Sequence, residues 1–228
     1  MAWRQTVEAV TAAAVAEFGD ASGEVGVYAH GSIALGGWVP GQSDVDLMVV
    51  VHQVPPERLE VFAEEFAEWQ GQPLEVTLIE DSLARNPRAA RPEQVLPLAV
   101  TRACGVVVCG PPVVEQFGDV PRALVRRELV EQLESRLHVG SEHEVVLMAC
   151  RALAFQEQNR FLSKQDGATW ARFRLPRHAA LIGRVLEERQ VAVRDAGFVL
   201  TWERRPGQDA HELAADVIRA LCGPDLWG

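Results

Sequence analysis

The stretch GSIALGGWVPGQSDVDL, residues 31–47, decides how this chain is read. An apolar run from Val25 to Ala29, suited to a buried strand, leads into it, and DVDLMVVV (44–51) completes a second, central strand. Gly31-Ser32 falls where the first strand ends and Ile33-Ala34-Leu35 begins a short helix. Backbone N–H groups point outward at such a corner, and the helix dipole favours an anion. Gly31 lets a phosphate approach the backbone closely, and the Ser32 hydroxyl adds a donor. Gly36, Gly37, Pro40 and Gly41 then force a loop before Asp44 and Asp46. Positions i and i+2 of a strand share a face, so the two carboxylates point to one place. Like charges held side by side are costly unless a cation lies between them. Hard oxygens beside a phosphate cradle suit Mg²⁺, with phosphate oxygens and water completing its octahedron.

Outward from this motif the pattern continues. Trp3, Val7, Val10, Ala14 and Phe18 fall at helical spacing and predict a helix over 3–18. Pro55-Pro56 opens a helix expected to reach about Gln70, with Leu59, Phe62, Phe66 and Trp69 on one face. PLEVTLIE (73–80) alternates as a third strand and presents Glu75 with Pro73 and Thr77, away from Leu74 and Val76. If that strand neighbours 44–51, Glu75 reaches the aspartates and can act as the base that deprotonates an attacking hydroxyl. A helix near 93–103 and a strand at 105–109 follow.

From about Pro121 strand signals nearly vanish, and 121–137, 143–161, 175–192 and 208–222 carry helical periodicity. The reading is therefore a small α/β (α+β) domain over 1–118 and an all-α helical bundle over 119–228. No apolar run approaches a membrane span and no signal peptide is evident, so a cytoplasmic location is expected. Cys104, Cys109, Cys150 and Cys222 lack zinc-ligand spacing. The net charge of −10 disfavours a nucleic-acid partner and favours a cationic one. Of 22 basic side chains all but Lys164 are arginine.

The combination of Gly-Ser, a spacer, Asp-Val-Asp on a strand and a lone acid on the next strand resembles the DNA polymerase β-like nucleotidyltransferases. It is closest in pattern to the bacterial streptomycin/spectinomycin (aminoglycoside) adenylyltransferases. The likeness runs through YAHGSIALGGWVPGQSDVDLMVVV (28–51), PLEVTLIE (73–80), VVVCGPP (106–112), EHEVVLMACR (142–151) and SKQDGATWARFRLP (163–176). The resemblance implies a nucleotidyltransferase domain with a small mixed sheet, and a helical domain that completes the substrate cleft. It implies Mg²⁺ held by Asp44 and Asp46, and ATP as co-substrate with its triphosphate on Gly31 and Ser32. It further implies Glu75 as catalytic base, Lys164 as a nucleotide contact and Trp170 as a substrate contact. Glu142 stands where it could cap its helix or face a cationic substrate, and is kept among the substrate contacts. Arg184 and Arg189 are candidates for the family's C-terminal basic contacts. His30 stands where the family commonly has tyrosine, and reads as a satisfied core histidine. The spacing of Trp170 and Phe173 also fits ordinary core packing.

The function implied is AMP transfer from ATP to a hydroxyl of an aminoglycoside or aminocyclitol, by a monomer or a dimer. Two other readings stay open: nucleotidylation of a protein or another metabolite, and a non-catalytic nucleotide-binding or antitoxin-like module.

Overall fold

The computed structural model describes residues 2–19, 25–53, 56–66, 68–69, 72–194 and 204–223. The chain divides into two compact units, Met1–Arg122 and Ala123–Gly228.

The first unit is organised by β2 (Val45–Val51), buried along its whole length except at Asp46. Its antiparallel neighbour is β1 (Gly26–Ala29), and its parallel neighbour is β4 (Gln72–Glu80). β5 (Val106–Cys109) pairs with β1, and the two-residue β3 (Glu68–Trp69) with β4, giving the order β3-β4-β2-β1-β5. β2 lacks polar alternation because both faces of the sheet are covered. On one face α1 (Ala2–Phe18) and α3 (Pro56–Glu65) bring Val7, Val10, Ala14 and Phe62 onto Val27, Leu47, Val49, Val76 and Leu78. Phe62 meets Phe18 edge-on, with ring centroids 5.1 Å apart. On the other face lie Tyr28, Met48, Val50 and Ile79. They are joined by Ala84 of α4 (Asp81–Arg85), Leu98 of α5 (Pro92–Cys104) and Phe117, just after α6 (Val113–Gln116). Between β1 and β2 sits the four-residue α2 (Gly31–Ala34).

The second unit is helical: α7 (Arg122–Val139), α8 (Glu142–Gln158), α9 (Lys164–Arg174), α10 (Ala179–Arg194) and α11 (Gln208–Cys222). Helix α8 packs against α9, α10 and α11, and so it is apolar on most sides. Ala210, Leu213, Ala214, Val217 and Leu221 of α11 fall at the spacing of one buried stripe. Gly167 sits inside α9 because a Cβ there would come within 3.0 Å of the Arg151 side chain on α8. The helices therefore approach closely at that point.

Three expectations are corrected. The helix expected to run to Gln70 stops at Glu65, and Glu68–Trp69 instead pairs with Pro73 and Gln72. Ladder bonds to the exposed flank of β4 win there over helical periodicity. Pro55 and Gln70, and the side chains of Leu59 and Trp69, lie outside the described residues. The helix expected over 143–161 ends at Gln158, where Asn159 takes a left-handed cap (φ 51). The helix expected from 175 begins at Ala179, after a 3₁₀ turn at Pro176–His178.

The two-sided burial of the sheet makes Leu47, fully buried, a strict test. Leu47→Ala is expected to cost about 3 kcal/mol of stability, read as an earlier urea midpoint. Val106→Ala, 44% exposed on the outer strand β5, should shift the midpoint little.

Candidate active site

The ladder between β1 and β2 fixes the site. Ala29 pairs with Leu47, and one residue further the His30 amide donates to the Asp46 carbonyl at 3.0 Å. The chain then turns through Gly31 at φ +56, a conformation that a side chain would strain. A Cβ on Gly31 would stand 1.8 Å from Oδ2 of Asp46. The glycine is therefore required by a neighbouring carboxylate as much as by any approaching ligand. The same Oδ2 accepts a hydrogen bond from the Ser32 amide at 3.2 Å. Asp46 is thus seated against the turn through which the sequence reading expected phosphate to bind.

On the opposite flank, the parallel pairing of β2 with β4 sets Asp46 directly beside Glu75. Paired positions on adjacent strands share a face about 5 Å apart. Both carboxylates therefore stand at the amino ends of their strands on one side of the sheet. Further along, the same face continues through Met48 and Ile79 into the buried core, a continuation the alternation of 73–80 alone did not reveal. Glu75 is exposed and Asp46 half-buried. Asp44 differs from expectation: β2 begins at Val45, so Asp44 lies one residue outside the ladder, and is exposed. Its carbonyl accepts a long hydrogen bond from the Ser32 hydroxyl at 3.5 Å.

His30 is buried, but it is not the satisfied core histidine expected. Burial lowers its pKa to about 4 against a raising hydrogen bond with the Leu47 backbone, so the ring is neutral at pH 7. Its Nε2 has no hydrogen-bond partner among the described residues.

Among the described residues no group of three or more His, Cys, Asp or Glu side chains could hold a metal ion. The oxygen-only pair Asp44 and Asp46 beside the Gly31 turn suits a hard cation that takes its remaining ligands from phosphate and water.

The second unit holds the other candidates. Lys164 is exposed at the head of α9, whose N-cap Ser163 accepts from the Asp166 amide at 3.1 Å. Trp170 is half-buried on the same helix. Phe173 is 81% exposed, so the core-packing reading of that spacing does not hold for it.

Glu142 is not the cap of α8, since Ser141 and Glu144 form a reciprocal capping box there. Its side chain is only 6% exposed and pairs with Arg184 at 2.8 Å and Arg204 at 3.3 Å. Its amide donates to the Arg204 carbonyl at 2.8 Å. Burial raises the Glu142 pKa, but Arg184, Arg204 and a Gly207 backbone bond outweigh it and hold the group below its ordinary value. A carboxylate so engaged ties the Arg204–Gly207 segment to α8 and α10. Glu142 as a substrate contact stays a proposal beside this structural role.

Of the two arginine candidates, Arg184 is engaged by Glu142 and lies 3.8 Å from Glu188. Arg189 is half-buried, with no ion pair or hydrogen bond to a described residue, and desolvation lowers its pKa. The signal that separates them was not in the sequence, because Glu142 lies 42 residues from Arg184.

The fold and its domain matches identify a nucleotidyltransferase. Residues 13–94 match the nucleotidyltransferase domain family, and residues 115–196 match the aminoglycoside adenylyltransferase C-terminal domain family. The chain is, more particularly, a nucleotidyltransferase related to the aminoglycoside adenylyltransferases. Its fold is similar to that of the spectinomycin adenyltransferase AAD(9) from Enterococcus faecialis, seen in a crystal structure with ATP and spectinomycin. The TM-score is 0.68 at 16% identity, over 96% of this chain and 98% of that one. No curated protein matches the chain by sequence. No helix among the described residues is long and apolar enough to cross a membrane.

Two outcomes follow from this geometry. Gly31→Ala must displace the Asp46 carboxylate, and is expected to lower turnover roughly a hundredfold with an unchanged circular-dichroism spectrum. Glu142→Gln is expected to lower stability at pH 7 by about 2 kcal/mol. That is below the roughly 3–5 kcal/mol of a fully buried pair, because Arg184 and Arg204 are 40% and 56% exposed. The folded pKa of Glu142 lies below its ordinary 4.5, so this stabilisation is complete above that pH and is lost as pH falls below it. The melting temperatures of wild type and variant should converge on acidification.

Proposed function

We propose that this enzyme transfers AMP from ATP to a hydroxyl of a cationic aminoglycoside or aminocyclitol, releasing pyrophosphate. The observation that carries the reading is the in-register placement of Asp46 beside Glu75, with Asp46 seated on the Gly31-Ser32 turn. One exposed carboxylate is thereby fixed next to another that suits a cation. That is the arrangement in-line transfer to a hydroxyl requires.

In this mechanism the triphosphate lies along Gly31 and the Ser32 hydroxyl, whose 3.5 Å bond to the Asp44 carbonyl is weak enough to exchange. Asp44 and Asp46 would hold Mg²⁺, which when bound neutralises phosphate charge. Glu75 accepts the proton of the acceptor hydroxyl as its oxygen attacks the α-phosphorus, and the bond to the pyrophosphate oxygen breaks. Catalysis rests on positioning and charge complementarity rather than on a covalent intermediate. His30, neutral and buried, takes no part as an acid.

The second unit supplies further candidates. Trp170 contacts the acceptor, while Lys164 and Arg189 contact the nucleotide. Arg189 is preferred to Arg184 because a half-buried guanidinium without a counter-charge among the described residues gains most from a phosphate. The net charge of −10 favours encounter with a polycationic acceptor. The acceptor's cationic character, the metal and a monomeric or dimeric state are parts of this proposal.

Pyrophosphate release with Mg-ATP, across a panel of aminoglycosides and aminocyclitols, tests it. Turnover is expected with at least one acceptor, falling by about 10²–10⁴-fold in Glu75→Gln and comparably in Asp46→Asn. Full activity in Glu75→Gln would remove the base assignment. Silence across the panel, with ATP still bound by calorimetry, would remove the antibiotic acceptor and return protein or metabolite nucleotidylation to the front.

A further inference from the structure

The loop that joins α2 to β2 is tied at two places beside the proposed site. The Gly37 amide donates to the Ser32 carbonyl at 2.9 Å, on the turn where the triphosphate is proposed to lie. Two residues on, the Val39 amide donates to the Ser43 hydroxyl at 3.1 Å, and the Val39 carbonyl accepts from the Ser43 amide at 3.0 Å. Ser43 directly precedes Asp44. Trp38 is the residue between the two ties, so its backbone is held between the phosphate turn and a proposed metal ligand. Gly36 and Gly41 bracket it at φ +70 and +72. Beyond their chain neighbours, nothing stands within 4 Å of where their Cβ atoms would be, so both ends of the loop have room to turn.

Trp38 is turned the wrong way round for a tryptophan at a surface. The residue is half-buried, yet its indole Nε1 is closed off from solvent and has no hydrogen-bond partner among the described residues. An indole with one side in water ordinarily keeps its N–H on the wet side. A buried donor left unmatched is costly, and it calls for a partner that the chain itself does not supply. At the other end of the same turn, His30 Nε2 is in the same condition. Two unmatched polar atoms therefore belong to the residues on either side of Gly31-Ser32. An indole can only donate, so the partner missing at Trp38 is an acceptor. Phosphate oxygens are charged acceptors, and a triphosphate brings several of them to this turn. The ammonium or guanidinium groups of a cationic acceptor molecule are donors, and do not meet the need.

We propose that Trp38 is a nucleotide-binding residue. When a nucleoside triphosphate is seated, the loop turns at its glycines and the indole N–H donates to a phosphate oxygen. This rests on the placement of the triphosphate at Gly31-Ser32 proposed above, and it involves the first unit alone. The donor left unmatched in the free protein is matched in the complex, so Trp38 adds to affinity for the nucleotide through its N–H.

The test is calorimetric titration of the full chain with Mg-ATP and with inorganic triphosphate and Mg²⁺, in wild type, Trp38→Phe and Trp38→His. Trp38→Phe keeps an aromatic ring and removes the donor, and is expected to bind both compounds about tenfold more weakly. Trp38→His returns a ring N–H on a smaller ring, and is expected to recover part of the loss. Unchanged Mg-ATP affinity in Trp38→Phe, with a wild type that binds, would overturn the proposal alone. So would a loss confined to Mg-ATP, which would make Trp38 a contact for the base or the sugar. A Trp38→His variant no better than Trp38→Phe would overturn it too, because ring bulk rather than the donor would then carry the effect. A wild type that binds neither compound would remove the placement of the triphosphate itself, and this proposal with it.

Discussion

The seat of Asp46 on the Gly31 turn sets the terms for the rest of the first unit. A carboxylate on a strand that is otherwise buried can be held in place only if its neighbours make room and supply donors. Gly31 makes the room by lacking a Cβ, and Ser32 supplies the donor through its amide. The strand pairing aligns the acid with Glu75 without any further device. The apolar layers on both faces of the sheet hold this alignment, because slippage of β2 by one residue would drive Asp46 into the core and expel Leu47. Core packing and site geometry are one constraint here.

Acidic residues serve distinct ends in the two units. Asp46, half-buried, and Glu75, exposed, stand side by side on one sheet face. Glu142 is enclosed by guanidiniums from two segments, and its charge holds the chain together. Sequence composition sums these into a single net charge and cannot separate them. Burial and partners do, since the enclosed carboxylate has already met its counter-charge.

Much of this was legible beforehand, and the reasons are specific. The Gly-Ser pair, the aspartates and the strand of Glu75 are local signals, written in residue spacing within one short segment each. The parallel pairing of 44–51 with 73–80 was a condition of the reading rather than its result, because register between strands is a non-local property. The termination at Glu65 depended on a strand partner, and the seating of Asp46 on Gly31 depended on a turn conformation. Neither is encoded in periodicity. Helix α9 was hard to read for a related reason. Its buried side is made of Gly167, Ala168 and Ala171, residues too small to register as an apolar stripe, while its outward side carries Phe173. The large apolar side chain of this helix therefore lies opposite its buried side.

That inversion bears on how site residues are told from structural ones in this fold. A side chain that builds the fold has its polar atoms matched, as Arg184 is by Glu142. Other side chains carry a mismatch that the described residues do not resolve. Arg189 carries a half-desolvated charge without a matching anion among the described residues, and Phe173 carries apolar surface without packing. Both mismatches lie in the helical unit, whereas the carboxylates lie in the sheet unit. The placement of Asp46 beside Glu75 is thus fixed by strand register, which tolerates little change. Outward-facing helical positions, by contrast, can vary without disturbing the core.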